Sequence, residues 1–300
     1  MTNILITGGT GLIGRQLCKS LPSKGYQVGI LSRTNKTYSG IQTYLWNPDK
    51  GEIDGQALRW ADYVIHLAGE NIGEKRWTKE RKQLIIDSRV KSGQLLFNKL
   101  QQSEHKLKAF ISASATGYYG SVNSEKTFSE TDASGKDFTA NVCRHWEDTA
   151  GKFNESGIRT VVIRTGVVLT KKGGALQKMM APVRAGFGSA LGNGKQFMPW
   201  IHIDDLCGIY IQAIENEQMQ GVYNAVASEH ITNTSFMRCL AKTMKKPYFF
   251  PNVPAFLLRL IFGEMSVILL KGSKVSSDKI RNSGFTFKFS SLEPALKDLI

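Results

Sequence analysis

The chain has 300 residues, 41% of them hydrophobic, with four cysteines and a net charge of +14. That length and apolar content can bury a large core, in one α/β domain or a main domain plus a smaller one, and exclude a disordered chain. Cys18, Cys143, Cys207 and Cys239 lie far apart with no C-x-x-C pair, which argues against both a zinc site and a disulfide framework.

The chain opens on an apolar run, Ile4-Leu5-Ile6, followed by glycines at 8, 11 and 14 and then by Leu17 and Leu21 at helical spacing. Strand, tight turn and helix therefore succeed one another in order. Gly8 permits the turn, Gly11 lets the backbone approach a pyrophosphate, and Gly14 lets helix and strand pack. Thr10, Leu12 and Ile13 supply the backbone facing the phosphates. A second strand over 27–31 completes the unit. It ends in Ser32-Arg33, and the position about 20 residues past the glycines, where an NAD-binding chain commonly carries an acid, has none. A guanidinium there can hold a 2′-phosphate bidentately with Ser32 beside it, so the pattern favours NADP over NAD. The alternative is a solvated arginine at a strand end.

No charged and apolar leader precedes the first strand, and the one long apolar tract, 253–270, is interrupted by Arg259 and Glu264. A soluble cytoplasmic protein is expected. Half of the net charge falls in the last seventy residues, but the lysines there are scattered, with no aromatic-interleaved block. A solvated basic face that attracts an anionic cofactor accounts for it better than a nucleic-acid or membrane partner.

Residues 43–46 read as an edge strand and 47–51 as a turn. Residues 63–69 form an apolar strand ending in Leu67-Ala68-Gly69, which in a parallel sheet borders the ligand crevice and lines the cofactor. Glu70 and Asn71 then sit at the crevice mouth, facing substrate. A helix over 78–100 turns Leu84, Ile85, Val90, Leu95 and Leu96 inward. Arg89 on it is within reach of a cofactor phosphate, or is an ordinary surface arginine. Another strand ends in Ser112-Ala113-Ser114, with Tyr118 and Tyr119 on the loop behind it.

The glycine motif, His66-Leu67-Ala68-Gly69, the serine and tyrosine loop, and Trp200 to Leu206 together resemble the extended short-chain dehydrogenase/reductase superfamily. Gly69-Glu70-Asn71-Ile72, Ser88-Arg89, Trp146-Glu147, Arg164-Thr165-Gly166-Val167-Val168-Leu169 and Gly173-Gly174-Ala175 are similar to its atypical epimerase branch of SDR39U1 type. The resemblance spans the chain, including a C-terminal module from about Phe249. It implies a Rossmann-like doubly wound parallel sheet with a smaller C-terminal substrate lobe. The expected division is residues 1–165 for the NADP-binding domain, 166–248 for the substrate side and 249–300 for the family module.

The resemblance also exposes a departure. The superfamily's Tyr-x-x-x-Lys pair, in which lysine activates tyrosine for proton exchange, is missing: no tyrosine here has lysine four positions later. In the expected helix the two registers are Phe138 with Val142 or Thr139 with Cys143. Ser114 matches the family's substrate-orienting serine, and Tyr118 or Tyr119 can supply a phenol beside it. Cys143 and Glu147 share a helix face as a possible nucleophile and base, although Cys143 also fits as a small buried thiol beside the stripe Phe138, Val142, Trp146, Ala150 and Phe153.

Beyond this helix come a strand over 160–164 and Val167, placed by the resemblance at the nicotinamide end. A helix opens at Gly173-Gly174-Ala175. A glycine-rich loop then leads to Trp200 and His202, both able to face substrate. His202, Asp204 and Asp205 suit a helix cap better than a metal site. An apolar helix over 255–270 is expected to dock on the main domain, with a dimer contact or membrane association as lesser readings. Two functions fit: an NADP-dependent oxidoreductase or epimerase-like enzyme acting on a small polar carbonyl or sugar derivative, as monomer or homodimer, or a non-catalytic NADP-binding sensor or scaffold.

Overall fold

The computed structural model describes residues 1–34 and 40–300. In chain order the strands are β1 (Asn3–Thr7), β2 (Gln27–Ser32), β3 (Gln42–Asn47), β4 (Glu52–Ile53), β5 (Tyr63–His66), β6 (Ala109–Ala115), β7 (Thr127–Phe128), β8 (Arg159–Thr165), β9 (Val167–Leu169), β10 (Trp200–His202), β11 (Gly221–Ala225) and β12 (Lys274–Val275). The helices are α1 (Leu12–Ser20), α2 (Gly55–Trp60), α3 (Lys79–Gln101), α4 (Phe138–Glu155), α5 (Gly174–Arg184), α6 (Ile203–Glu215), α7 (Asn233–Thr243), α8 (Ala255–Phe262), α9 (Val267–Leu270), α10 (Asp278–Asn282) and α11 (Leu292–Leu299).

Eight strands form one sheet in the order β11-β8-β6-β5-β1-β2-β3-β4, parallel except for the β3–β4 edge. The order reverses at β1, with β2 on one side and β5 on the other, which sets a crevice at the carboxyl ends of these strands. Continuous apolar runs explain the buried strands: β1 and β5 carry no exposed residue, as a parallel sheet covered on both faces requires. One face packs Ile4, Ile6, Ile65, Ile111 and Ile163 against α1 and α6. The other packs Leu5, Val64 and Phe110 against Leu96 of α3 and Phe153 of α4, with the Phe110 and Phe153 rings stacked at 3.7 Å. Side-chain caps start α2, α3, α4 and α7: Asp54, Thr78, Asp137 and Thr232 each accept from an amide of the first turn.

A second lobe has its own core around Leu176, Trp200, Phe236 and Leu240, and α11 contributes Leu292, Leu296 and Leu299 to it. The last residues of the chain thus complete the second lobe. β11 returns to pair in parallel with β8 at the edge of the main sheet.

Two packing expectations need correction. Leu84 points outward at 47% exposure, because the inward face of α3 at that level is taken by Ile85 and Arg89. The expected 255–270 helix is broken at Gly263, whose φ of 59° suits glycine, into α8, a 3₁₀ turn and α9. In α8 only Leu258 is buried, while Phe256, Leu260 and Ile261 face solvent, so α8 does not dock as a whole. The 3₁₀ turn and α9 dock instead: Met265, Val267 and Ile268 pack with Trp77, Ile72 and Ile85, and Lys82 pairs with Glu264 at 2.6 Å. Among the described residues, no helix is long and apolar enough to cross a membrane.

Candidate functional site

The glycine turn closes on the end of β5. Gly8 takes φ of 67°, and a Cβ there would lie 3.0 Å from the Leu67 carbonyl carbon and oxygen. A Cβ on Gly14 would lie 2.6 Å from Gly9 Cα and nearer still to the Gly8 oxygen. Gly11 is exposed and caps α1 with no side chain, and the first turn of α1 carries no acid to compete with an anion. Thr10, Leu12 and Ile13 are partly exposed along the same turn, and Leu12 lies against Gly173 and Gly174 at the start of α5. This cradle has the close packing, free backbone and helix N-terminus that a dinucleotide pyrophosphate needs, so the residues fit that cofactor.

β1 is tied to the crevice floor by Thr7, whose hydroxyl accepts from the Leu67 and Ala68 amides, both at 3.0 Å. Its one hydrogen therefore goes to His66 Nδ1 at 2.9 Å, which places the imidazole proton on Nε2, facing Ser92 Oγ at 3.4 Å. Burial pushes the His66 pKa down to about 4 from 6.5. In the unfolded chain His66 binds a proton below about pH 6.5, whereas the native form resists protonation until about pH 4. Stability carried by this group is therefore intact above pH 6.5 and lost as pH falls toward 4. Replacing His66 by Asn should flatten the slope of unfolding free energy between pH 6.5 and 4, read by urea titrations across that interval.

At the nucleotide end, Ser32 is buried with its hydroxyl accepting from the Thr34 amide, and Arg33 is exposed just past β2. Leu67 and Ala68 leave the end of β5 partly buried, and Gly69 beyond them is exposed. Arg89 does not fit a phosphate contact. Its guanidinium donates to the Ile85 and Glu70 carbonyls at 2.8 and 3.0 Å, lies over the Trp146 ring at 4.7 Å, and is buried beneath Gly69. It supports the crevice loop from below. Glu70 is paired with Arg81 at 3.0 Å, and its amide donates to Ser88; Asn71 is exposed, and its side chain accepts from Gly73.

The centre of the crevice is a buried polar chain. Ser114, near the carboxyl end of β6, donates to Glu147 Oε1 of α4 at 2.6 Å. Arg164 of β8 grips the same carboxylate with Nε on Oε1 at 2.9 Å and Nη2 on Oε2 at 2.7 Å. Burial alone would lower the proton affinity of Arg164, but the hydrogen bonds and charge of Glu147 raise it above the ordinary value. Nη1 of Arg164 donates to Tyr119 Oη at 3.1 Å, and Tyr119 donates to Asn224 Oδ1 at 2.6 Å. The guanidinium also lies 3.3 Å from the Tyr118 ring centroid.

This wiring separates the two tyrosines. Tyr119 is 3% exposed, burial pushes its pKa up to about 12, and its hydroxyl is fully engaged. The expectation of Tyr119 as a proton-handling phenol is therefore corrected to a structural hydroxyl. Tyr118 is partly exposed, and its hydroxyl has no partner among the described residues.

On α4, Thr139 donates to Asp137 Oδ1 at 2.8 Å and lies 3.3 Å from the Gly117 carbonyl, Cys143 donates to the Ala115 carbonyl, and Phe138 and Val142 turn to the cluster around Trp77. Thr139 and Cys143 thus occupy the face turned to the serine loop. Burial drives the Cys143 thiol up to about 12, which removes it as a nucleophile.

Val167 sits just beyond β8, its amide donating to Pro199 at 2.7 Å. Trp200 and His202 do not face substrate: they are 0% and 1% exposed, Trp200 in the core of the second lobe and His202 against the Phe289 ring at 4.0 Å. His202 caps α6, its Nδ1 accepting from Asp204, while Asp205 accepts from the Lys288 and Phe289 amides rather than capping. Asp298 joins His202 and Asp204, but Lys288 lies 3.5 Å from Asp204 and supplies the positive charge there. A separate hollow of about 370 Å³ between Arg259 and Lys271 contributes none of the crevice residues.

Sequence reasoning missed the Ser114–Glu147–Arg164 chain. Arg164 was its signal: a charge ending an otherwise apolar strand demands a buried partner.

The profile of the NAD dependent epimerase/dehydratase family matches residues 4–225, and a domain of unknown function, DUF1731, matches 253–299. The chain is similar to the epimerase family protein SDR39U1 of Mus musculus, with 35% identity over 99% of both chains. It is also similar to the epimerase family protein YfhF of Bacillus subtilis, with 37% identity over 99% of this chain and 98% of that one. Human SDR39U1, crystallised with NADPH, superposes with a TM-score of 0.88 at 32% identity over 99% of both chains.

Proposed function

The chain belongs to the NAD dependent epimerase/dehydratase family, in its SDR39U1-type epimerase branch, and from that premise we propose that it binds NADP(H) and acts as an oxidoreductase or epimerase-like enzyme on a small polar carbonyl or sugar-type substrate. The observation that carries the cofactor reading is the glycine cradle against Leu67, with Arg33 and no acid at the end of β2. The crystallisation of human SDR39U1 with NADPH supports it. When bound, the nicotinamide supplies or takes the hydride. Gly8, Gly11 and Gly14 with the α1 amides hold the pyrophosphate, Ser32 and Arg33 the 2′-phosphate, and Leu67, Ala68, Gly69 and Val167 line the cofactor.

Ser114 orients the substrate oxygen and Tyr118, the phenol left free, exchanges the proton. Glu70 and Asn71 border the substrate at the crevice mouth. An alternative, NADP binding without turnover, is favoured by the buried Cys143 and Thr139 on the helix face toward the serine loop. The test is oxidation of NADPH by a panel of carbonyl compounds. Ser114→Ala combined with Tyr118→Phe should reduce that oxidation by about 100-fold, the contribution of lost acid–base catalysis, with NADPH affinity unchanged. A panel that elicits no oxidation would count against the enzyme reading and move NADP binding without turnover ahead of it.

A further inference from the structure

We infer that Glu147 is a positioning residue that makes Ser114 a hydrogen-bond acceptor, so that the crevice takes a ligand presenting a hydroxyl at that point in preference to a bare carbonyl. The inference rests on the proposed reading of Ser114 as the group that meets substrate.

A serine hydroxyl has one hydrogen and two lone pairs, and an ionised carboxylate only accepts. At 2.6 Å from Glu147 Oε1, the Ser114 hydrogen is committed to the carboxylate. Two features fix that commitment. The Arg164 fork holds both oxygens of Glu147, so the carboxylate cannot swing away from Ser114 without losing a bidentate ion pair whose side chains are 3% and 12% exposed. The Cys143 thiol, which neighbours Ser114, sends its own hydrogen to the Ala115 carbonyl.

Ser114 therefore has lone pairs to offer and no hydrogen. A ligand carbonyl or alkoxide would gain a donor here only if Ser114 gave up a charge-assisted bond to a largely buried carboxylate. A ligand alcohol meets no such cost: it donates to Ser114, and its own oxygen remains open to Tyr118. The chemical class so selected is a secondary alcohol or polyol rather than a simple ketone or aldehyde.

Ligand-observed NMR on the protein, with and without NADPH, using two matched pairs, cyclohexanol with cyclohexanone and propan-2-ol with acetone, tests this. Each alcohol should bind about fivefold more tightly than its ketone, the factor one net hydrogen bond provides. Ser114→Ala should bring each pair to equal affinity. Glu147→Leu combined with Arg164→Met, which removes the acceptor together with its counter-charge and so frees the Ser114 hydrogen, should shift the preference toward the ketone. Should that double variant fail to fold, Ser114→Ala, which removes one hydroxyl, decides alone. Equal affinities in the native chain, a ketone preference, a preference that survives Ser114→Ala, or no binding of any probe would each overturn the inference. NADPH affinity, measured on the same samples, reports the cofactor reading separately.

Discussion

Arg164→Met should destabilise the protein by about 3–5 kcal/mol, the cost of leaving a largely buried carboxylate without its partner. Met has similar length, so little volume is lost; what disappears is the fork on Glu147, the bond to Tyr119 and the cation against the Tyr118 ring. Burial of a charge is tolerated here only because the opposite charge is buried with it. The double variant Arg164→Met with Glu147→Leu should consequently lose much less than the two single changes added together. Urea unfolding of the four proteins measures this directly. Additive losses would mean that the pair is not coupled and that Glu147 finds its stabilisation elsewhere.

Gly14→Ala should lower NADPH affinity by about 100-fold, the scale on which displacements of about 1 Å act in a pre-organised site. The new Cβ would meet Gly9 Cα at 2.6 Å and the Gly8 carbonyl, and backbone atoms, unlike the end of a flexible side chain, cannot rotate out of the way. Relief requires α1 to move off β1, which pulls the first amides of the helix away from the pyrophosphate. Overpacking of this kind also costs roughly 1–3 kcal/mol of stability. Gly25→Ala is the control for a change outside the cradle: a Cβ there meets nothing within 4 Å, although its φ of 84° is strained for alanine. It should lose stability and leave affinity unchanged. Fluorescence titration with NADPH distinguishes the two variants, and an unaffected Gly14→Ala would mean that the helix terminus does not face the cofactor.

The cradle and the buried ion pair were unequally legible in the sequence. The cradle was readable because its signal is local: an apolar run, glycines at 8, 11 and 14, and a helical repeat lie within 21 residues. The same holds for strands whose apolar runs are continuous, and the expected 63–69 and 160–164 segments appear as β5 and β8 with their ends shifted by a few residues. Burial of polar side chains was harder to read. Trp200 and His202, judged by residue type, suited a substrate wall, but packing of α11 and the Phe289 segment encloses them. Arg89 looked free to reach a phosphate because nothing local shows that Gly69 and Glu70 fold back over it.

The central polar chain was hidden for a related reason. Ser114, Glu147 and Arg164 are separated by 33 and 17 residues and meet only when β6, α4 and β8 pack. Helical spacing instead suggested Glu147 with Cys143, a pair whose thiol is buried and engaged. The apolar tract 255–270 misled in the opposite direction. Apolarity on both sides of the helix suggests burial or a partner surface; Gly263 breaks the helix and leaves Phe256, Leu260 and Ile261 outside, so burial does not hold for α8. At each of these positions the tertiary partner, invisible in the local pattern, decided the outcome.

The roles proposed for Ser114, Tyr118 and the crevice loops all depend on the cofactor being NADP(H), and calorimetric titration with NADPH and NADH, on the native chain and on Arg33→Ala, tests that assignment most directly. Tight binding of NADPH, weaker binding of NADH, and a fall of NADPH affinity to the NADH level in Arg33→Ala are the expected results, as one charge-assisted guanidinium–phosphate contact should account for the difference. Equal affinity for the two cofactors, or no binding of either, would contradict it.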